Sequence, residues 1–199
     1  MSQSLQVTIH QASQLDDVEA FGKNDPYARV TLDFERKELY QKTATKKNAG
    51  NDVEWNQTVV LSDYEPSQHH YLYVEVLDDE TGADAPIGFA AIPLSQVRSA
   101  PNETLRAKYD LYTPSGKEKG TITLTIQALQ PGEQASHSTH SGPEVKGQSQ
   151  IVTEHHDKVK SQRNKERATD AAVAAGAAGV LGLAGALLGG LGGNAAPPS

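Results

Sequence analysis

The sequence contains no cysteine, so it can form neither a disulfide framework nor a zinc site with thiolate ligands. The first fifteen residues hold neither a basic cluster nor a long apolar run. No secretory signal is predicted, and we expect a cytoplasmic location. The motifs G-x-S-x-G, H-E-x-x-H and the P-loop are also absent, so the sequence predicts no enzyme.

Positive charge is scarce in the first two thirds of the chain. Residues 1–130 contain 12 Lys and Arg against 19 Asp and Glu, a net charge of −7, whereas residues 131–199 contain 6 of each kind. An acidic chain has no general attraction for nucleic acid, and we expect no such partner. The acidic part is also the part in which secondary structure is predicted.

Apolar and polar residues alternate in several short segments of residues 1–130. Leu5, Val7 and Ile9 would share one face of a β-strand, because successive side chains of a strand point to opposite faces. The same period recurs in segments 28–34, 72–76 and 122–126. We count seven or eight short strands over about 125 residues, separated by turn-forming clusters. This spacing predicts an all-β fold, an antiparallel β-sandwich.

The remainder of the chain divides by composition. Residues 131–167 are rich in Ser, Gln, His and charge, and are predicted to form a disordered linker. Its histidines are expected to be solvated, because no neighbouring group would orient them as metal ligands; they are His137, His140, His155 and His156.

An apolar tail of Ala, Gly and Leu follows at residues 168–193. Its uncharged stretch, 171–193, has 23 residues, and a helix needs about 20 to span a bilayer. Eight glycines and eight alanines contribute little insertion energy, however. Gly185, Gly189 and Gly193 have the spacing that lets helices pack closely. Two hypotheses stay open: a helix that associates with membrane or with itself, and an unstructured tail.

Five segments, taken in order over residues 4–130, resemble the C2 domain family. They are LQVTIHQASQL, GKNDPYARV, QKTATKKNAGNDVEWNQ, LYVEVLDDETGADAPIG and GTITLTIQAL. The resemblance implies an eight-stranded antiparallel C2-type β-sandwich at residues 1–130, with the permuted (type II) strand order. It also implies that Trp55 packs in the core.

The resemblance further implies a calcium site formed by acidic loops at one end of the sandwich. Carried over position by position, the ligands fall on Glu19, Asp25, Asp78 and Glu80, and the last falls on Ala85 with Asp84 beside it. Calcium accepts 6–8 oxygen ligands in flexible geometry, so these carboxylates could still hold a weakened site. The alternative is that the acidic loops are simply solvated.

Lipid contacts are implied in the same way. Lys42 and Lys46, on the predicted strand QKTATKK, would form a basic patch with the nearby Arg29, unless this is an ordinary solvated strand face. Phe21, near the tip of the first loop, would either insert into lipid or pack inward.

Two functions follow from these expectations. The first is a peripheral membrane protein that binds anionic phospholipid under calcium control. The second is a calcium-independent adaptor that binds a protein partner and is located, or self-associates, through its tail.

Overall fold

The computed structural model describes residues 3–19, 22–133 and 143–186, with side chains as far as Ala172 except at Asp170. The sandwich consists of eight antiparallel strands, which are β1 (Gln3–Ser13), β2 (Pro26–Thr31), β3 (Gln41–Lys42), β4 (Val53–Tyr64), β5 (Tyr71–Asp78), β6 (Ala85–Pro93), β7 (Thr104–Tyr112) and β8 (Glu118–Leu129). Short helical turns lie at Lys37–Leu39, Pro101–Glu103 and α1 (Ser95–Arg98).

The strands follow the order β3-β2-β5-β6-β7-β8-β1-β4. Between β6 and β7 the register has a single pair, Phe89 with Tyr112, whereas most other neighbouring strands share long ladders. The strands therefore divide into two four-stranded sheets that meet along this edge. This arrangement confirms the predicted antiparallel β-sandwich.

The core lies between the two sheets. Leu5, Val7 and Ile9 are fully buried, as their alternation predicts, and burial of each such side chain contributes about 1.5–3 kcal/mol. Trp55 is also part of this core, which confirms its predicted packing role. On β7, alternate residues of the strand are buried as well, because one face of the strand packs against this core.

The strand predicted over QKTATKK is much shorter than expected. Only Gln41 and Lys42 form β3. Beyond them the chain stays close to β2 through single hydrogen bonds, from the Thr43 amide to the Ala28 carbonyl and from the Lys46 amide to the Pro26 carbonyl. The ladder breaks because the Thr43 hydroxyl accepts the Ala28 amide, a bond that a regular strand would give to a backbone carbonyl.

The prediction of a disordered linker is wrong for residues 143–167. A short strand, β9 (Val145–Lys146), pairs in parallel with β7, and Gln150 exchanges two backbone hydrogen bonds of 2.9 Å with Ala91. At Gly147 the chain passes so close to the Tyr109 ring that a Cβ atom would lie 2.2 Å from it. These contacts are polar or depend on glycine, so the composition of the segment does not reveal them.

A long helix, α2 (Thr153–Ala186), follows β9. It packs on β6 and buries Val159 and His155. Its backbone continues into the predicted apolar tail as far as Ala186, while His137, His140 and tail residues 187–193 lie outside the described residues. No helix within the described part of the chain is long and apolar enough to cross a membrane.

Candidate metal centre

The pairing of β2 with β5 brings two acidic loops together. Pro26, at the start of β2, is the register partner of Asp78, at the end of β5. The loop before β2 (residues 14–25) therefore lies beside the loop after β5 (residues 79–84), and we call this side of the sandwich the loop end. The amide of Asp79 donates a hydrogen bond to the carbonyl of Asp25 across the junction at 3.2 Å.

Three carboxylates converge at the loop end. Glu19, Asp78 and Glu80 each offer an oxygen atom, and these atoms lie within 4.8 Å of one another. Asp78 is fully buried: its Oδ1 accepts the Asp25 amide, whereas its Oδ2 has no hydrogen-bond partner among the described residues. A buried, unpartnered carboxylate oxygen is costly, so this atom is a strong candidate for a cation ligand.

The electrostatics of Asp78 reflect this crowding. Burial raises the pKa of the Asp78 carboxyl to about 6. The hydrogen bond from the Asp25 amide lowers this pKa, whereas the negative charges of Glu19 and Glu80 raise it. Like charges at such short range repel unless a proton or a cation neutralises them. An oxygen-only cluster of this kind matches the ligand preference of calcium.

Asp25 has other partners. Its Oδ1 accepts the amide of Asn48 and its Oδ2 forms an ion pair of 3.0 Å with Lys47 Nζ. The hydrogen bond from Asn48 and the charge of Lys47 lower the pKa of the Asp25 carboxyl. Asp25 is not among the described residues that fall within the 4.8 Å group, and its role as a ligand stays a prediction.

Asp84 lies beside the group as well. Its Oδ2 accepts the hydroxyl of Tyr27 at 2.6 Å, and its Oδ1 lies 3.4 Å from the Glu80 amide. Burial and the Asp84 charge together raise the pKa of Tyr27, so this hydroxyl stays protonated and donates. These bonds hold Asp84 near the three carboxylates. Ala85 is buried in β6 and offers no side-chain oxygen.

Lys47 is a site residue that the family pattern does not indicate. Its ammonium group bridges Asp25 Oδ2 and Asp79 Oδ2, each at 3.0 Å. The Lys47 side chain is 61% exposed, and exposed ion pairs contribute little stability. A divalent ion could therefore displace it. The only sequence signal is the adjacent pair Lys46-Lys47, which resembles any solvated charge run.

Two of the predicted lipid-binding residues, Arg29 and Lys42, are register partners on β2 and β3, and the lipid-binding role of the three residues stays a prediction. Lys42 and Lys46 are exposed, with the Lys42 ammonium 5.5 Å from the centre of the Tyr27 ring. Arg29 instead donates to Glu75 and to Gln162 of α2 and lies over the Tyr40 ring. Phe21 lies outside the described residues.

A buried polar network joins α2 to the sheet. Glu75 is its centre: it lies opposite Arg29 in the register, accepts the Tyr40 hydroxyl at 2.6 Å and lies 2.9 Å from His155. Burial alone would raise the pKa of Glu75, but the hydrogen bond with His155 and the charge of Arg29 outweigh it and lower the pKa to about 2. Lys158 adds a bond to the Phe34 carbonyl.

The expectation that His155 is solvated is therefore wrong. Its ring is fully buried, and it lies 5.0–5.2 Å from the ring centres of Phe34, Tyr73 and Phe89. His156 is half-buried, with its ring stacked on Phe89. The two residues make these contacts because they lie in the first turns of α2. The composition of the segment does not indicate them.

A scan against protein families matches the C2 domain model to residues 3–111, which is more than half of the chain. The chain belongs to the C2 domain family. The matched range contains both acidic loops of the loop end and ends within β7, so β8 and α2 both lie outside it.

Relatives and structural neighbours agree with this assignment. The chain is 32% identical over 125 residues to an Arabidopsis thaliana protein named "Calcium-dependent lipid-binding protein", covering 60% of this chain and 24% of the relative. It is 28% identical over 146 residues to "Protein SRC2 homolog" of the same plant, covering 70% and 44%. The chain thus spans less than half of the length of each of these two relatives. A single C2 domain from a plant Extended Synaptotagmin 1 superposes with a TM-score of 0.55 at 21% identity, covering 66% of this chain and 98% of that domain.

Proposed function

We propose that this chain is a peripheral membrane protein whose C2 sandwich binds anionic phospholipid when calcium is held by Glu19, Asp78 and Glu80. The observation that carries the proposal is the fully buried Oδ2 of Asp78, which lacks a hydrogen-bond partner among the described residues and lies within 4.8 Å of oxygen atoms from Glu19 and Glu80. The role is one of binding, not of catalysis.

The chain prepares the site by fixing Asp78 and leaving the other two carboxylates accessible. The Asp25 amide orients Asp78 from the interior, whereas Glu19 is half-buried and Glu80 is exposed. A bound calcium ion would neutralise the three carboxylates and offer its remaining coordination positions to lipid phosphate oxygens. Asp25 and Asp84, held beside the group, are the further ligands we propose. Without an ion, the acidic loop end repels an anionic surface.

A second function is favoured by Lys47. Because its ammonium already bridges Asp25 and Asp79, the loop end contains an internal cation. With this cation in place the loop end could fold without calcium, as a calcium-independent adaptor that binds a protein partner through the sandwich would require. The two functions differ in whether lipid binding responds to calcium.

Liposome sedimentation of the full chain separates them. We expect binding to phosphatidylserine vesicles in calcium, little binding in chelator, and loss of the difference in Asp78→Asn/Glu80→Gln. The matched control is Glu35→Gln/Glu65→Gln, which removes the same charge from exposed positions outside the acidic loops of the loop end. Equal binding with and without calcium would favour the adaptor.

A further inference from the structure

A cleft lies at the loop end, between α2 and the loops of the sandwich. Its volume is about 290 Å³. Lys160, Arg163 and Arg167 of α2 form one wall, and Asp16 and Asp17 of the first loop face them. The turn between β7 and β8 closes the cleft at Pro114 and Ser115. None of these basic residues belongs to the matched C2 range.

The course of α2 explains how its basic residues reach the loop end. Near its start His155 contacts Glu75 in β5, and further along Gln162 Nε2 lies 3.4 Å from the Asp84 carbonyl. The Thr169 methyl lies 4.0 Å from where a Cβ of Gly82 would stand, at the tip of the loop after β5. The helix therefore runs along the sheet towards the same loops that hold the three carboxylates.

The backbone of α2 continues beyond this point. From Thr169 to Ala186 it extends 186 − 169 = 17 residues, or about 25 Å at the rise of an α-helix. The apolar part of the helix thus begins beside the loop after β5.

The helix segment that forms the basic wall carries a net positive charge. Residues 160–167 contain four basic groups and one acidic group, Glu166, a net charge of 4 − 1 = +3. Arg163 and Glu166 form an ion pair of 3.0 Å, whereas Lys160, Lys165 and Arg167 are exposed. Among the described residues, no ion pair within 4.0 Å crosses the cleft to the two aspartates.

Building on the proposed membrane binding, we propose that this cleft is a second phospholipid headgroup site, separate from the calcium ligands. Lys160 and Arg167 would contact the phosphate, since Lys and Arg are the preferred partners of phosphate oxygens. Asp16 and Asp17 would accept an ammonium group on the other side. A phosphate linked to an ammonium-bearing group matches both walls, and among anionic phospholipids the serine headgroup has both groups. The apolar part of α2 then points towards the same membrane surface.

The test compares charge-matched variants of the full chain on phosphatidylserine vesicles in calcium at constant ionic strength. Lys160→Gln/Arg167→Gln should bind about 25-fold more weakly than wild type, since each cation near an anionic surface contributes about fivefold. The control Arg36→Gln/Lys37→Gln removes two exposed charges around the short helical turn after β2 and should bind like wild type. Both variants should keep the wild-type melting temperature, because the mutated side chains are exposed.

The outcomes distinguish this proposal from the proposed function. If wild type does not bind the vesicles, the membrane function itself fails. If wild type binds in calcium and the Lys160/Arg167 variant binds equally well, only the headgroup cleft is overturned. A second comparison uses vesicles in which phosphatidylglycerol, of equal charge but without ammonium, replaces phosphatidylserine. Wild type should prefer serine vesicles, and Asp16→Asn should lose part of that preference; an unchanged preference would contradict the role of the acidic wall.

Discussion

His155 Nε2 lies 2.9 Å from Glu75 Oε1, and the two side chains are 0% and 3% exposed. The pair joins the first turn of α2 to β5, residues that are 80 positions apart in the chain. A buried carboxylate needs hydrogen-bonding partners, and His155 supplies one of them from outside the C2 sandwich. The helix is therefore anchored to the sheet by a buried side-chain pair.

Removal of the C-terminal segment should destabilise the sandwich. A version ending at Gln130 loses His155, Lys158 and the burial of Val159, and it exposes Phe89. We expect the free energy of unfolding to fall by about 2–3 kcal/mol, which lowers the melting temperature by roughly 5–10 °C. Scanning calorimetry of both forms measures this, and identical melting temperatures would show that α2 does not stabilise the sheet.

The substitution His155→Ala should account for much of that loss. It removes a buried partner of Glu75 and the ring contacts with Phe34, Tyr73 and Phe89. We expect a decrease of about 1–2 kcal/mol in the free energy of unfolding by urea, because a buried charge loses a hydrogen bond. His70→Ala, at an exposed position, is the matched control and should be within about 0.5 kcal/mol of wild type. A similar small effect at His155 would refute the role of the pair.

Acid should weaken the domain through Glu75. Its pKa is about 2 in the folded state against a usual value of 4.5, so its ionised form is favoured by folding. This contribution is fully present above pH 4.5 and is lost as the pH falls towards 2; it amounts to about 3 kcal/mol. Glu75→Gln should be less stable at neutral pH and should show a smaller loss between about pH 5 and 3. Parallel stability curves for the two proteins would contradict this assignment.

Protons should compete with calcium at Asp78. Because the pKa of its carboxyl is raised to about 6, the residue is mainly ionised near pH 7 and mainly protonated near pH 5. The calcium affinity should therefore fall about tenfold between these values, since each pH unit below the pKa reduces the ionised fraction about tenfold. Calcium titrations across this range measure the effect. An affinity that stays constant over the range would exclude Asp78 as a ligand with this pKa.

The sandwich could be predicted because its signal is local. Leu5, Val7 and Ile9 alternate within one strand, and burial of one face requires that period. The same signal is present in β7, where Ala107, Tyr109 and Leu111 are buried in turn, although the alanine makes it weak.

The docking of α2 and the details of the site could not be predicted in this way. His155 meets Glu75 through a single polar contact over a long sequence separation, and no composition rule detects it. At the loop end, the resemblance pointed to Glu19, Asp78 and Glu80 among its ligand positions, and the structure brings these three together. It did not reveal that Lys47 would pair with Asp25, because that contact depends on where the chain turns after β3.

Calcium binding by the three carboxylates is tested by a calcium titration of the full chain by calorimetry at about pH 7, beside Asp78→Asn and the control Glu35→Gln. We predict that wild type and the control bind calcium with a dissociation constant between about 10 µM and 1 mM, a range typical of weaker oxygen-ligand sites. Asp78→Asn should bind at least about tenfold more weakly, since the buried ligand oxygen loses its charge. Equal affinities in wild type and Asp78→Asn, or no binding by wild type at about 10 mM calcium, ten times the weakest expected constant, would contradict the account.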